Sequence, residues 1–165
     1  MTFLLEVFMT PEKKPVNPWH KRPEKGSILD EISRESPSLL RAYQLTKVAS
    51  GAGFDWPDLS GVLEKLDEEI DEFREALSSH SRPKIQEELG DLLFVLTNVA
   101  RFLQINPEEA LKGTIDKFIL RFRYIETALR RRGRSLPQSS LVEMDRLWEE
   151  AKKIKRRAKS RIQRH

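Results

Sequence analysis

The sequence contains no cysteine, and it has only three histidines, at positions 20, 80 and 165, among 165 residues. The first absence excludes a disulfide framework, a thiolate metal site and a cysteine nucleophile, and it agrees with a reducing cytoplasm. The second leaves any metal site short of nitrogen ligands, because no histidine stands beside acids at helical spacing. No apolar run is long enough to span a bilayer: the opening MTFLLEVFMT is short, holds Glu6 and lacks a basic leader. Neither secretion nor membrane insertion is expected. Period-two alternation is missing as well, which argues against a sheet. There are no internal repeats, low-complexity tracts, phosphate-cradling glycine loops or Ser-His-Asp signatures.

What is present is charge and helical periodicity. The chain is 34% charged and 38% hydrophobic, enough for one soluble domain with a sizeable core. The net charge of +4 is localised, since KKIKRRAKSRIQRH at 152–165 carries eight Lys/Arg and no acid, and the remainder is net −4. Such an end could touch nucleic acid, or it could be a solvated terminus that complements a helix dipole. Five of the nine prolines lie in the first 37 residues, which read as an extended arm. After it the chain reads as helices. Ser36 caps the first with Pro37 at its first position, and Gly51 and Gly53 stop it. The next carries Leu63, Leu66, Ile70, Phe73 and Leu77 on one apolar face, SSHSRP makes a turn, and EELGDLLFVLTNVARFL follows. A fourth helix is expected from Asn106–Pro107 to Gly133, and a fifth from about Leu141 through Trp148 into the basic end. The fold class is an all-α, antiparallel helical bundle.

The acids are placed oddly for such a bundle. At about 100° per residue, Glu88 falls among Leu92, Val95 and Val99, in the middle of the apolar arc, and Asp91 lies at its edge near Asn98. In the preceding helix Glu68, Glu69 and Glu72 cluster beside the Leu66, Ile70, Phe73 stripe. Antiparallel neighbours bury their stripes against each other, so the two sets can face across the bundle. Carboxylates gathered at the edge of a low-dielectric core repel and raise one another's pKa unless a cation neutralises them. A metal ion follows, and with only hard oxygen ligands it is Mg²⁺ or Mn²⁺ rather than zinc. Lys117 and Arg121, four apart beside the Leu111, Ile115, Phe118, Phe122, Ile125 stripe, and Trp148 with Lys152 on the last helix, add cations suited to a nucleoside triphosphate. Trp148 read alone is more often a core anchor than a base-stacking platform.

Glu68, Glu69 and Glu72, then Glu88 and Asp91 after fifteen residues, resemble the Glu-Glu-x-x-Glu, Glu-x-x-Asp hallmark of the MazG nucleoside triphosphate pyrophosphohydrolases, an all-α family. GFDW at 53–56, EELGDLLF, NVARFL, KFILRFR and LVEMDRLWEEAKK are similar, in the same order, to the C-terminal catalytic copy of two-domain MazG proteins, over roughly residues 36 to 153. The resemblance implies metal ligation by Glu69, Glu72, Glu88 and Asp91, with Glu68 and Glu87 as neighbouring acids. Lys117, Arg121, Trp148 and Lys152 match its nucleotide-contacting positions, and Asn98 is taken as a further substrate-binding residue. It also implies Mg²⁺-dependent cleavage between the α and β phosphates to a nucleoside monophosphate and pyrophosphate, and assembly at least as a dimer. PEKKPVNPWHKRPEKGSILDEI looks like that family's interdomain linker, so any regulatory role of an upstream copy is expected to be absent or supplied by another chain.

The resulting expectation is an arm at residues 1–35, a catalytic helical domain at 36–155 and a basic tail at 156–165. Metal held by the four carboxylates polarises the α-phosphate, and either Glu69 or Glu72 takes a proton from water. Lys117, Arg121 and Lys152 neutralise the leaving pyrophosphate. The rival readings are an inactive helical binding module and a nucleic-acid binder acting through the tail.

Overall fold

A computed structural model describes residues 26–162, with side chains as far as Ile154; most of the arm and the side chains of the basic tail lie outside the described residues. Five helices account for most of them: α1 Ser38–Gly51, α2 Leu59–Ser79, α3 Arg82–Phe102, α4 Pro107–Arg131 and α5 Leu141–Ile162. Short 3-10 turns at Ile28–Glu31 and Leu136–Gln138 complete the list, and no strand occurs among the described residues. None of these helices is long and apolar enough to cross a membrane. The chain divides after Pro107 into two compact units.

In the first unit α3 packs against both α1 and α2. Helix α1 begins at Ser38, one residue later than the Ser36–Pro37 reading, because Pro37 keeps an extended ψ of 139° while its carbonyl already accepts from Arg41 N–H. Pro37 is therefore the cap. At the other end Gly53 takes φ +95°, which lets Phe54 N–H reach back to Ala49 C=O at 3.0 Å and close the helix in a left-handed turn. The Asp58 side chain accepts from Gly61 N–H and starts α2. A side chain at Gly61 would meet Trp56 Cδ1 at 2.9 Å, so only glycine lets this loop fold onto the helix. Only His80 and Ser81 join α2 to α3, His80 in the left-handed conformation at φ 56°, and Pro83 follows in the first turn of α3. So short a link makes α2 and α3 antiparallel neighbours.

The seam between them differs from the leucine-rich one expected. The buried residues of α2 are Val62, Glu69 and Ala76, spaced seven apart, while Leu63 and Leu77 are 43% and 48% exposed. On α3 the buried line runs through Glu88, Val95 and Asn98, with Thr97 beside it, and Leu89, Leu93, Phe94 and Leu96 are exposed. Leu66, Ile70 and Phe73 of the expected face are half-buried, so the fully buried positions of the seam go to small and polar side chains.

In the second unit Ile125 and Leu129 of α4 and Leu147 of α5 form a buried cluster, flanked by Tyr124, Met144 and Trp148. The turn at Leu136–Gln138 carries a capping box between Ser135 and Gln138, and Glu143 at the start of α5 pairs with Arg132 and Arg134.

Candidate functional site

The odd seam creates the site. Glu69 takes the middle position of the Val62, Glu69, Ala76 line, one turn before Glu72. Glu88 and Asp91 take the first two positions of a line on α3 that continues through Val95 and Asn98 with spacings of three and four. Such a 3-4 alternation keeps residues on the face turned to a partner helix. Glu69, Glu88 and Asp91 each bring one carboxylate oxygen within 4.8 Å of the others. Glu69 and Glu88 are buried and Asp91 is exposed, so the group opens to solvent on one side.

The charges in this group are poorly compensated. Glu69 accepts from Lys65 at 2.8 Å, and Lys65 also reaches Glu68 at 3.0 Å. Hydrogen bonding to Glu69 first, then to Glu68, pushes the Lys65 ammonium above the usual lysine range. The other oxygen of Glu69, Oε2, is buried with no hydrogen-bond partner among the described residues. Burial pushes the Glu88 carboxyl upward, and the charges of Glu72, Glu87 and Asp91 add to this against the opposing pull of Lys84. A buried acceptor with a lone pair to spare, beside a carboxyl under electrostatic pressure, suits a hard divalent cation. Glu72 is exposed and lies outside the three-oxygen group, though close enough for Glu88 to feel its charge. Glu68 is 58% exposed at its side chain, and Glu87 is exposed too.

The cationic and aromatic candidates belong to the second unit. The Arg121 guanidinium lies 5.2 Å from the Trp148 ring centroid, and Phe118 meets the same indole at 5.5 Å in a tilted arrangement. Phe118 and Trp148 border an open, mostly apolar cleft of about 330 Å³ between α4 and α5, lined also by Phe122, Met144 and Asp145. Arg121 Nε is buried without a partner among the described residues. Lys117 is exposed, and Lys152 is paired with Glu149 one turn before it.

One cluster was not singled out from the sequence, although GFDW contains part of it. Arg101 near the end of α3 forks onto Asp55 in the loop before α2, Nη1 to Oδ2 at 2.9 Å and Nη2 to Oδ1 at 2.5 Å. Ser50 Oγ–H and Trp56 N–H also donate to Asp55. Burial raises the Asp55 carboxyl, but these donors outweigh it and hold the group below the ordinary aspartate range. A depressed carboxyl stabilises the fold above its unfolded pKa, about 3.9, and that contribution is lost as pH falls through the folded value. Asp55→Asn should thus cost about 1 to 3 kcal/mol at neutral pH, and the deficit should narrow at an acid pH below the unfolded pKa. Thermal melts of both chains at the two pH values check this; a gap of equal size at both would refute the assignment.

Comparison with known proteins assigns a family to the segment that carries these acids. Residues 59–125 match the family profile described as the MazG nucleotide pyrophosphohydrolase domain. The chain is 39% identical over 132 residues to the nucleoside triphosphate pyrophosphohydrolase/pyrophosphatase MazG of Thermotoga maritima, an overlap of 80% of this chain and 51% of that protein. It is likewise 39% identical over 131 residues to the nucleoside triphosphate pyrophosphohydrolase of Escherichia coli K12, covering 77% of this chain and 49% of that one. With the uncharacterized protein YabN of Bacillus subtilis it shares 45% identity over 142 residues, 84% of this chain and 28% of the other. The chain spans about half the length of the first two relatives. On the family match and the shared sequence, this chain carries a MazG nucleotide pyrophosphohydrolase domain that includes α2, α3 and most of α4.

Proposed function

We propose that the chain is a Mg²⁺-dependent nucleoside triphosphate pyrophosphohydrolase, with Mn²⁺ able to substitute, which cleaves NTPs and dNTPs between the α and β phosphates. The observation that carries this reading is the convergence of Glu69, Glu88 and Asp91, with a buried Glu69 oxygen among them that has no partner among the described residues. The activity for which the two relatives are named supports the same substrate class. Residues 36–155 would form the catalytic helical domain, preceded by the arm and followed by the basic tail.

Glu69, Glu88 and Asp91 would hold the ion, with Glu72 beside them as a fourth carboxylate. A divalent ion there supplies Lewis-acid polarisation of a phosphate oxygen and acidifies water. Of the two candidate bases, Glu69 and Glu72, we assign proton removal from the attacking water to Glu72, because it is exposed and outside the three-oxygen group. The oxygen of that water bonds to the α-phosphorus as the bridge to the β-phosphate breaks, and pyrophosphate leaves with the bridging electron pair. Lys117, Arg121 and Lys152 are assigned to the triphosphate charge, and Trp148 to the nucleoside. Asn98 completes the substrate set. Chromatography of NTP and dNTP reactions with Mg²⁺, resolving pyrophosphate from orthophosphate, tests the reaction. Release of orthophosphate alone, or no metal dependence, would overturn it.

The exposed Leu89, Leu93, Phe94 and Leu96, each 43–48% accessible along one helix, support assembly at least as a dimer. Light scattering should give a mass of two chains or more, and a mass of 19.3 kDa would refute it. The absence of cysteine suits a cytoplasmic setting.

A further inference from the structure

We propose that Asp55 and Arg101 are positioning residues that turn the Asn98 amide so that its Nδ2–H donor meets an oxygen on the nucleoside part of the substrate. This rests on the hydrolase reading above. Asn98 is 1% exposed, and Nδ2 has no hydrogen-bond partner among the described residues. Its Oδ1, by contrast, accepts twice from Arg101, from Nε and Nη2 at 3.3 Å each. A guanidinium has only donors, so it fixes which end of the amide faces it: the oxygen turns toward Arg101 and the NH₂ away.

Arg101 is itself held. The two Asp55 oxygens accept from its Nη1 and Nη2, Ser50 and Trp56 brace Asp55, and the guanidinium lies 4.6 Å from the Phe102 ring centroid. The chain of contacts thus joins the end of α1, the loop before α2 and the last turns of α3 to a single amide. Buried polar groups are nearly always paired, and a network that fixes an amide while leaving its donor open implies an acceptor from outside.

The position and the charge indicate which acceptor. Asn98 is seven residues beyond Asp91 on the same line of α3, two turns or roughly 10 Å along the axis. That separates it from the carboxylates by more than one phosphate. Asp55 neutralises Arg101, so Asn98 offers a neutral donor in a neutral surrounding. Phosphate oxygens call for uncompensated cations, whereas a sugar hydroxyl or a base carbonyl is matched by an amide.

The test is a double-mutant cycle on KM and kcat with Asn98→Ala, Asp55→Asn and the pair, with melts recorded for each. Asn98→Ala should raise KM about tenfold, one hydrogen bond's worth, with a smaller effect on kcat. Asp55→Asn should raise KM severalfold alone and not at all in the Asn98→Ala background, and Asp55→Glu should recover part of the loss. Equal KM effects of Asp55→Asn in both backgrounds would overturn the proposal, as would none in the wild-type background. A penalty lost with a 2′- or 3′-deoxy nucleotide identifies a sugar acceptor, and one confined to particular bases identifies a carbonyl. Both support the proposal. An equal penalty with inorganic triphosphate means that the donor meets phosphate, which overturns it. A wild type that does not hydrolyse NTP sinks the hydrolase reading instead. The same cycle is then read as the Kd of ATP by calorimetry, and no ATP binding by the wild type would sink this inference too.

Discussion

Glu88→Gln should abolish metal-dependent turnover, with a loss of a hundredfold or more in kcat, about 2.7 kcal/mol of transition-state stabilisation. The substitution keeps the side chain's shape on the buried line of α3 and removes its charge and one hard ligand. Helicity should persist. The Glu88 carboxyl is pushed up first by burial and then by Glu72, so its ionised form costs stability at neutral pH when no cation is present. The metal-free mutant should therefore melt at or above the metal-free wild type. Adding Mg²⁺ should raise the wild-type Tm and leave the mutant's unchanged, because only a folded state that binds the ion gains from it. Activity equal to wild type would end the metal-site reading. Loss of activity together with loss of helical circular dichroism would assign Glu88 to folding instead.

Glu88 also shows how much was legible in the sequence. Its place in an apolar arc is an angular fact about the chain, and α3 buries it. The helix ends were equally legible, since Gly53, His80–Ser81 and Pro107 act through local backbone chemistry. The seam was not. Leu63 and Leu77 have the greater hydrophobicity, yet α2 buries Val62 and Ala76, which permit closer packing against α3. Periodicity locates an apolar face but cannot say which of two adjacent stripes meets the neighbour. For the same reason the acidic run could not separate Glu69, buried and half-compensated by Lys65, from the exposed Glu68. The Asp55–Arg101 pair, 46 residues apart, leaves no local periodic signal at all.

Trp148→Ala should raise KM severalfold and lower stability by about 3 kcal/mol, at the low end for a large aromatic because Trp148 is only half-buried. Two roles meet in this side chain. One face packs beside Ile125, Leu129 and Leu147, while the ring also touches Phe118 and lies under the Arg121 guanidinium at the open cleft. Removing the indole takes away an anchor and a surface that orders Arg121, so stability and substrate binding fall together. Trp148→Phe separates them. It restores most of the apolar contact, so Tm should recover most of the way, but it offers Arg121 and a nucleoside a smaller ring. KM should stay raised. Lys152→Ala is the complementary variant: its pair with Glu149 is largely exposed and contributes at most about 1 kcal/mol. Any fall in kcat with Lys152→Ala then reflects charge on the departing pyrophosphate, which grows as the bond breaks, whereas indole contacts are nearly equal in ground and transition states. A Trp148→Phe enzyme with wild-type KM, beside a Trp148→Ala enzyme whose only defect is its Tm, would assign the indole to the core of the α4–α5 pair and remove it from the substrate site.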